Sequence, residues 1–412
     1  MIQKVETLVV GAGIIGSSVA MHLAQMGMDN IRVIDFDLEG ALSSSELNAG
    51  GVRATWVQAV NIEMAKATIE YFAEVSNEVG YKPCGYLWLH SPERLPAALN
   101  ARERQIENGW PAEVWDIPSL RRNIPFLDKT DGIAGAIFAP RDGLINPNLL
   151  KSHYRSIARK LGVIFDDHTL LREVTYSQNG SFKMEIDTER FEAFLDDEKK
   201  LEVATLARND FGCSRVQYQA NRIINCAGPW AFEVAKTLGY VSPCFPVRRQ
   251  ISIFDCREVD LTPFGMIVDT SGVYFHPEAM NGLAGFANHD EPRAFNFQYD
   301  GEKFFNDIIW PALYERSTSF ERLKHVTGWA GLYEVSPDEC AIIGPVVHGE
   351  ARKIDQVYEA HSFSGHGVMH SYSAGKALAE RIMKGKYESL DISQLSAARF
   401  DTGRLIQENL TI

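Results

Sequence analysis

The stretch VETLVVGAGIIGSSVAMHLA (residues 5–24) decides how the rest of the chain is read. Its first six residues are mostly apolar and β-branched, the composition of a strand buried on both faces. Gly11, Gly13 and Gly16 follow as G-x-G-x-x-G. Val19, Leu23 and Met26 then recur at helical spacing, and Gly27 stops the helix. IRVID (31–35) is a second short strand, so the chain opens on a strand–turn–helix–strand unit. Each glycine serves a separate physical purpose. One makes the tight turn, one lets backbone N–H groups approach a diphosphate closely, and one allows tight helix–strand packing. The helix N-terminus adds partial positive charge beside those phosphates. Asp35 lies 19 residues after Gly16, where an acid is expected to meet the ribose of a dinucleotide. The motif alone does not separate a nicotinamide from a flavin dinucleotide.

Outward from this unit, residues 61–80 read as an amphipathic helix and 85–90 as a strand. RDGLINPNLL (141–150) introduces another helix, after which VIF (163–165) is a strand. EVTYS and FKMEI alternate as in a meander. Residues 187–212 are rich in charge and read as a solvated insertion. RIINC (222–226) is a buried strand running into Ala227, Gly228 and Trp230, and HSFSGHG (361–367) leads into a last helix. No repeat or low-complexity linker punctuates the chain.

Composition narrows the class. Lys and Arg total 41 against 54 Asp and Glu, a net charge of −13, so nucleic acid is not an expected partner. With 45% hydrophobic and 23% charged residues the chain reads as globular. No run reaches the roughly 18 apolar residues of a membrane span. The six cysteines (84, 213, 226, 244, 256 and 340) form no CxxC and read as reduced thiols of a cytoplasmic protein. His366 and His370 share metal-ligand spacing, but without a further Cys/His cluster no metal site is expected.

The chain as a whole resembles the FAD-dependent D-amino-acid oxidase, glycine oxidase and sarcosine oxidase superfamily. The fingerprint, the segment Ser43–Arg53, RDGLINPNLL, RIINCAGPWA, GWAGLYEVSPDECAIIGP and HSFSGHGVMHSYSAGKALAE carry the likeness in the expected order. It implies an α/β fold, with a Rossmann-like FAD-binding domain interleaved with a smaller α+β antiparallel-sheet substrate domain. On this reading 1–82, 141–240 and 326–395 form the FAD domain, 83–140 and 241–325 the substrate domain, and 396–412 a C-terminal tail. The implied FAD contacts are Gly11, Gly13, Ile14, Ile15, Gly16, Asp35 and Phe36, then Ser44, Ser45, Asn48, Ala49, Gly50, Gly51 and Val52. Ala227, Gly228, Trp230, Gly331, Leu332, Ser364, Gly365, His366, Gly367, Val368 and Met369 complete them. Arg53 is expected beside the flavin ring, flanked by Asn48 and Trp56, and His366 over the substrate or against the flavin.

Departures from the family sharpen the expectation. Gly331 and Asn48 stand where members attach FAD through cysteine or histidine, so the FAD is expected to be noncovalent. Trp56 and Met369 replace the arginine and lysine that hold the substrate carboxylate in sarcosine oxidases. A buried carboxylate needs a cationic partner, and Arg248, Arg249, His276 and His289 are available. Leu283 or Ala284 stands where an oxygen-activating lysine is expected. The resulting expectation is a dehydrogenase oxidising the C–N bond of a small amine or amino acid, with slow O2 reactivity. Its acceptor would be a quinone or an electron-transfer flavoprotein. Two alternatives stay open: a 2-hydroxy-acid or glycerol-phosphate dehydrogenase using His366 as base, and a low-turnover flavin-bound assembly protein. The G-G-V-R and G-H-G features are shared with relatives of a mitochondrial respiratory-complex assembly factor.

Overall fold

The computed structural model describes residues 2–177, 182–191, 197–205, 213–349, 351 and 355–408. Strand Ile2–Val10 is buried along its second half, as its apolar run demands. It pairs in parallel with Ile31–Ile34 on one side and Cys213–Asn225 on the other. Ile164–Asp166 and Val357–His361 extend this parallel core outward. Ile342–Pro345 adds an antiparallel edge to Val357–His361, and the meander Thr169–Tyr176 and Met184–Phe191 joins through Cys213–Asn225. Helix Ile14–Gln25 lies against the sheet and is buried over most of its length. It packs on helix Gly367–Lys384 so closely that a Cβ on Gly375 would fall 2.2 Å from the Ser18 hydroxyl. Helices Ala59–Glu74 and Pro147–Lys160 close the same apolar core.

A second eight-stranded sheet runs in the order Lys324–Val335, Phe245–Asp255, Asn281–Phe286, Val273–Glu278, Met266–Val268, Tyr86–His90, Gly135–Ala139 and Glu113–Trp115. All its pairings are antiparallel except Met266–Val268 with Tyr86–His90. The Rossmann-like sheet and the antiparallel sheet are the two layers anticipated from the sequence. Strand Lys324–Val335 stays with the second sheet, ten residues past the expected boundary at 325. We propose the two sheets as the two domains, with the later boundary placed after that strand.

One expectation is corrected. Part of 187–212 lies outside the described residues, but its described part is not a solvated insertion. Strand Met184–Phe191 is paired on both sides. Helix Asp197–Ala204 buries Lys200 against Asp37 at 3.3 Å, and the Ala204 carbonyl accepts the Trp230 indole N–H. The charges looked like a surface run because their partners are distant in sequence.

Candidate active site

Two clefts meet at the junction of the sheets. The first opens at the C-terminal ends of the parallel strands, where Val10, Ile34, Cys226 and His361 line it. That is where open parallel sheets take ligands. Its cavity volume is about 290 Å³, at the lower end of the usual range for a small-molecule pocket. The second cleft faces the antiparallel sheet and is walled by Trp56, Tyr86, Tyr274 and Tyr333.

The fingerprint glycines divide the labour. A Cβ on Gly16 would sit 1.9 Å from the Gly11 carbonyl oxygen, and one on Gly11 2.3 Å from that of Cys226. Both glycines are required by packing within the protein. At Gly13 a Cβ would meet only the Ser45 hydroxyl, at 3.3 Å. The protein crowds Gly13 less than Gly11 or Gly16, which leaves its backbone open to close approach from the cleft. Helix Ile14–Gln25 has no side-chain cap and no acid in its first turn, and helix Gly367–Lys384 repeats this. The positive ends of two helices suit an anionic ligand, although the Ile14 N–H is already taken by the Ser45 hydroxyl. The Asp35 carboxylate accepts the N–H groups of Ala12 at 2.6 Å and Asp37 at 3.1 Å, which fixes the turn. Burial raises it above the ordinary carboxylate range, and each oxygen retains a further lone pair. Phe36, Ala227, Gly228 and Trp230 line the same cleft. These features fit a dinucleotide with its diphosphate at the fingerprint.

Ser44, Ser45, Ile14 and Ile15 line both clefts. Asn48, Ala49, Gly51, Arg53, Gly331, Leu332, Ser364, Gly365, His366, Gly367, Val368 and Met369 line the second. Gly16, Gly50 and Val52 line neither cleft, and each has a structural part. Gly50 has a φ of +77°, and its carbonyl accepts the Ile145 N–H at 2.8 Å. Val52 is fully buried and pairs with Gly143.

The segment bearing Arg53 is held from RDGLINP, whose purpose the motif alone did not reveal. Asp142 is fully buried. One of its oxygens accepts the Ala54 N–H and the Trp110 indole N–H, both at 2.8 Å, and the other takes the Thr55 hydroxyl at 3.1 Å. Burial pushes Asp142 up to about 7 against the pull of these donors. Arg53 lies with its guanidinium 3.4 Å from the centre of the Trp56 ring and 4.8 Å from that of Trp88. Its Nη1 donates to the Thr55 carbonyl at 2.8 Å. Burial lowers its pKa from the usual arginine value.

His366 lines the second cleft, but the geometry does not give it the role of a base. Its Nε2 is 2.8 Å from the Glu339 carbonyl, an acceptor only, so Nε2 carries the proton. Its Nδ1 is then the acceptor 3.2 Å from the His370 Nδ1. Both ring nitrogens are occupied, the Trp56 ring is 4.7 Å away, and burial lowers the pKa to about 3. His366 is a neutral part of the cleft floor.

Of the cations considered for a carboxylate, three are excluded by their surroundings. Arg248 pairs with Glu291 at 2.6 Å and Asp300 at 3.1 Å. His276 bonds the carbonyls of Ala49 and Pro277. His289 is exposed. Arg249 differs: it lines the second cleft and lies 5.1 Å from the Tyr333 ring centre. Its Nη1 donates to the carbonyls of Arg248 and Asn288. Its buried Nε has no partner, and no hydrogen bond to a described residue uses Nη2. The Nε–Nη2 edge is the fork that grips a carboxylate with two hydrogen bonds. Tyr86, Tyr274 and Tyr333 were not singled out in the sequence, where nothing distinguishes them from core tyrosines.

No cysteine lines the second cleft. Cys340 is fully buried against Asn61, and Leu283 and Ala284 are buried in their strand away from both clefts. Among the described residues no group of His, Cys, Asp or Glu is placed to hold a metal, and no helix is long and apolar enough to cross a membrane.

Comparison with known proteins follows the same lines. A family model described as "FAD dependent oxidoreductase" (DAO) matches residues 6–381. FAD-dependent oxidoreductase domain-containing protein 1 of Xenopus laevis is 27% identical, over 97% of this chain and 83% of that protein. Mitochondrial dimethylglycine dehydrogenase of Rattus norvegicus is 22% identical, over 96% of this chain and 45% of that protein. The crystal structure of L-proline dehydrogenase from P. horikoshii superposes with a TM-score of 0.81 at 22% identity, covering 98% of this chain and 99% of that one.

Proposed function

The chain belongs to the FAD-dependent oxidoreductase (DAO) family, and from that premise we propose that it oxidises the C–N bond of a small amino acid. The observation that carries this reading is Arg249, which lines a cleft walled by Trp56 and three tyrosines and whose buried Nε has no hydrogen-bond partner. It supplies the carboxylate partner that Trp56 and Met369 do not.

When bound, FAD supplies the two-electron acceptor chemistry. The chain supplies orientation, exclusion of water and charge. Arg249 holds the carboxylate, which fixes where the α-carbon stands. The aromatic walls exclude water and favour a substrate entering with its amine neutral. The N-terminus of helix Gly367–Lys384 offers partial positive charge to negative charge arriving during reduction. With FAD as the hydride acceptor, the substrate would lose a hydride from the carbon bearing nitrogen and leave as an iminium ion, which gives up a proton to water and is hydrolysed.

A hydroxy acid would need a base at its hydroxyl, and His366 has no ring nitrogen free to act as one. The absence of a cysteine from the second cleft supports noncovalent FAD. The absence of lysine there supports slow reaction with O2 and delivery of electrons to a quinone or an electron-transfer flavoprotein.

The test is anaerobic bleaching of the bound flavin by D-, L- and N-methyl amino acids and by hydroxy acids. Bleaching by an amino acid and not by its hydroxy analogue is expected. Bleaching by hydroxy acids alone would overturn the reading, and bleaching by neither would favour a low-turnover assembly role. A yellow supernatant after acid precipitation is expected for noncovalent FAD, and a yellow pellet would refute it.

A further inference from the structure

Five residues line both clefts: Ile14, Ile15, Ser44, Ser45 and Glu334. Glu334 is the only ionisable one and was not among the cofactor contacts anticipated from sequence. It is 8% exposed, on strand Lys324–Val335. Its Oε1 accepts the Phe363 N–H at 3.3 Å, and its backbone carbonyl accepts that of Ser364 at 3.1 Å. No hydrogen bond from another described residue reaches Oε2.

Covalent order within FAD fixes what crosses this junction. The fingerprint cleft takes the adenosine and diphosphate, the aromatic cleft takes the ring, and the ribityl chain joins them. That chain is a polyol, each hydroxyl being both donor and acceptor. The Ser44 hydroxyl is committed as donor to the Leu332 carbonyl at 2.6 Å, and Ser45 accepts the Ile14 N–H at 3.1 Å.

We propose that Glu334 is a cofactor-binding residue whose Oε2 hydrogen-bonds a ribityl hydroxyl where the chain passes between the clefts. This rests on the reading of the two clefts as one FAD site. Burial raises Glu334 to about 7, while the His361 imidazole pulls it down. The carboxyl is therefore a donor or an acceptor near neutral pH, and a hydroxyl satisfies either form.

The experiment measures Kd on apoprotein for FAD, ADP and the 2′-, 3′- and 4′-deoxyribityl analogues of FAD, in wild type, E334A and E334Q. E334A should weaken FAD about tenfold, the loss of one buried polar contact, and leave ADP unchanged. At least one deoxy analogue should bind wild type more weakly than FAD and lose nothing further in E334A. E334Q, which keeps an acceptor for Phe363 and a donor for the hydroxyl, should restore most of the affinity. Unchanged FAD affinity in E334A, equal weakening of ADP, or penalties that multiply for all three analogues would each overturn the assignment. Failure of wild type itself to bind FAD would instead refute the underlying reading of the site.

Discussion

The two clefts share five residues yet are built in opposite ways. The first is organised around backbone features of one continuous unit, Ile2–Asp35, its glycines, a helix N-terminus and two strand ends, and is completed by residues from 169–172, 226–237 and 360–363. The second is made of side chains from segments far apart in sequence, among them Arg53, Tyr86, Arg249, Tyr274, Tyr333 and Met369. A backbone site depends on local conformation, so it appears as a spaced motif. A side-chain site depends on long-range packing, so its members look ordinary until the sheets meet.

Substitutions can break that contrast. The largest effect is expected from G16A, whose Cβ would lie 1.9 Å from a backbone oxygen that cannot yield. A cost of about 3 kcal/mol or more is expected, read as a fall in melting temperature together with loss of flavin absorbance. A normally folded, yellow G16A protein would sink the packing argument.

R249M should act on the second cleft alone. Removing a charge-assisted fork should cost about 2–3 kcal/mol, roughly 30- to 150-fold in kcat/KM for a carboxylate substrate. The Kd for FAD should stay unchanged. Equal losses for a substrate and its decarboxylated amine would show that Arg249 does not grip the carboxylate.

G13A separates ligand from packing within the fingerprint. This Cβ would lie 3.3 Å from the Ser45 hydroxyl, a contact that a small shift of that side chain relieves, so the melting temperature of the apoprotein should fall far less than in G16A while FAD affinity falls about tenfold. An apoprotein destabilised as much as G16A would place Gly13 with Gly11 and Gly16 instead.

The smallest effect concerns the floor of the second cleft. His366 is lowered to about 3 by burial, whereas the unfolded chain binds that proton near 6.5. The unfolded state therefore holds more protons below about pH 6.5, and stability falls as pH falls from there toward 3. The slope from this one group is at most about 1.4 kcal/mol per pH unit. Urea melts at pH 7, 6 and 5 should show a shallower decline for H366Q than for wild type. Parallel declines would mean that His366 takes up its proton in the native state.

Legibility in the sequence follows the same division. The fingerprint, Asp35 and the residues of HSFSGHG were readable because each is a backbone arrangement with few permitted residues. Arg53 was placed at the second cleft by its neighbours Gly50 and Gly51, and the packing of Asp142 explains what holds it there. His366 was expected over the substrate or against the flavin, and it lines the second cleft; only its two ring partners, Glu339 and His370, speak against the base role of the hydroxy-acid alternative. Lys200 was misread because Asp37, its partner, is 163 residues away.

Sequence alone determined the parallel sheet and its glycine-rich turn, since these follow from local conformation and residue type, while the resemblance to the family pointed to Trp56 and Met369 in place of its cationic pair. Only the tertiary structure decided which of two neighbouring arginines lines the second cleft. Arg248 and Arg249 are adjacent on one strand, and strand alternation sends one toward Glu291 and Asp300 and the other toward the cleft. Which of the two keeps a free edge depends on what packs over each face of the sheet, and that is settled by contacts distant in the chain.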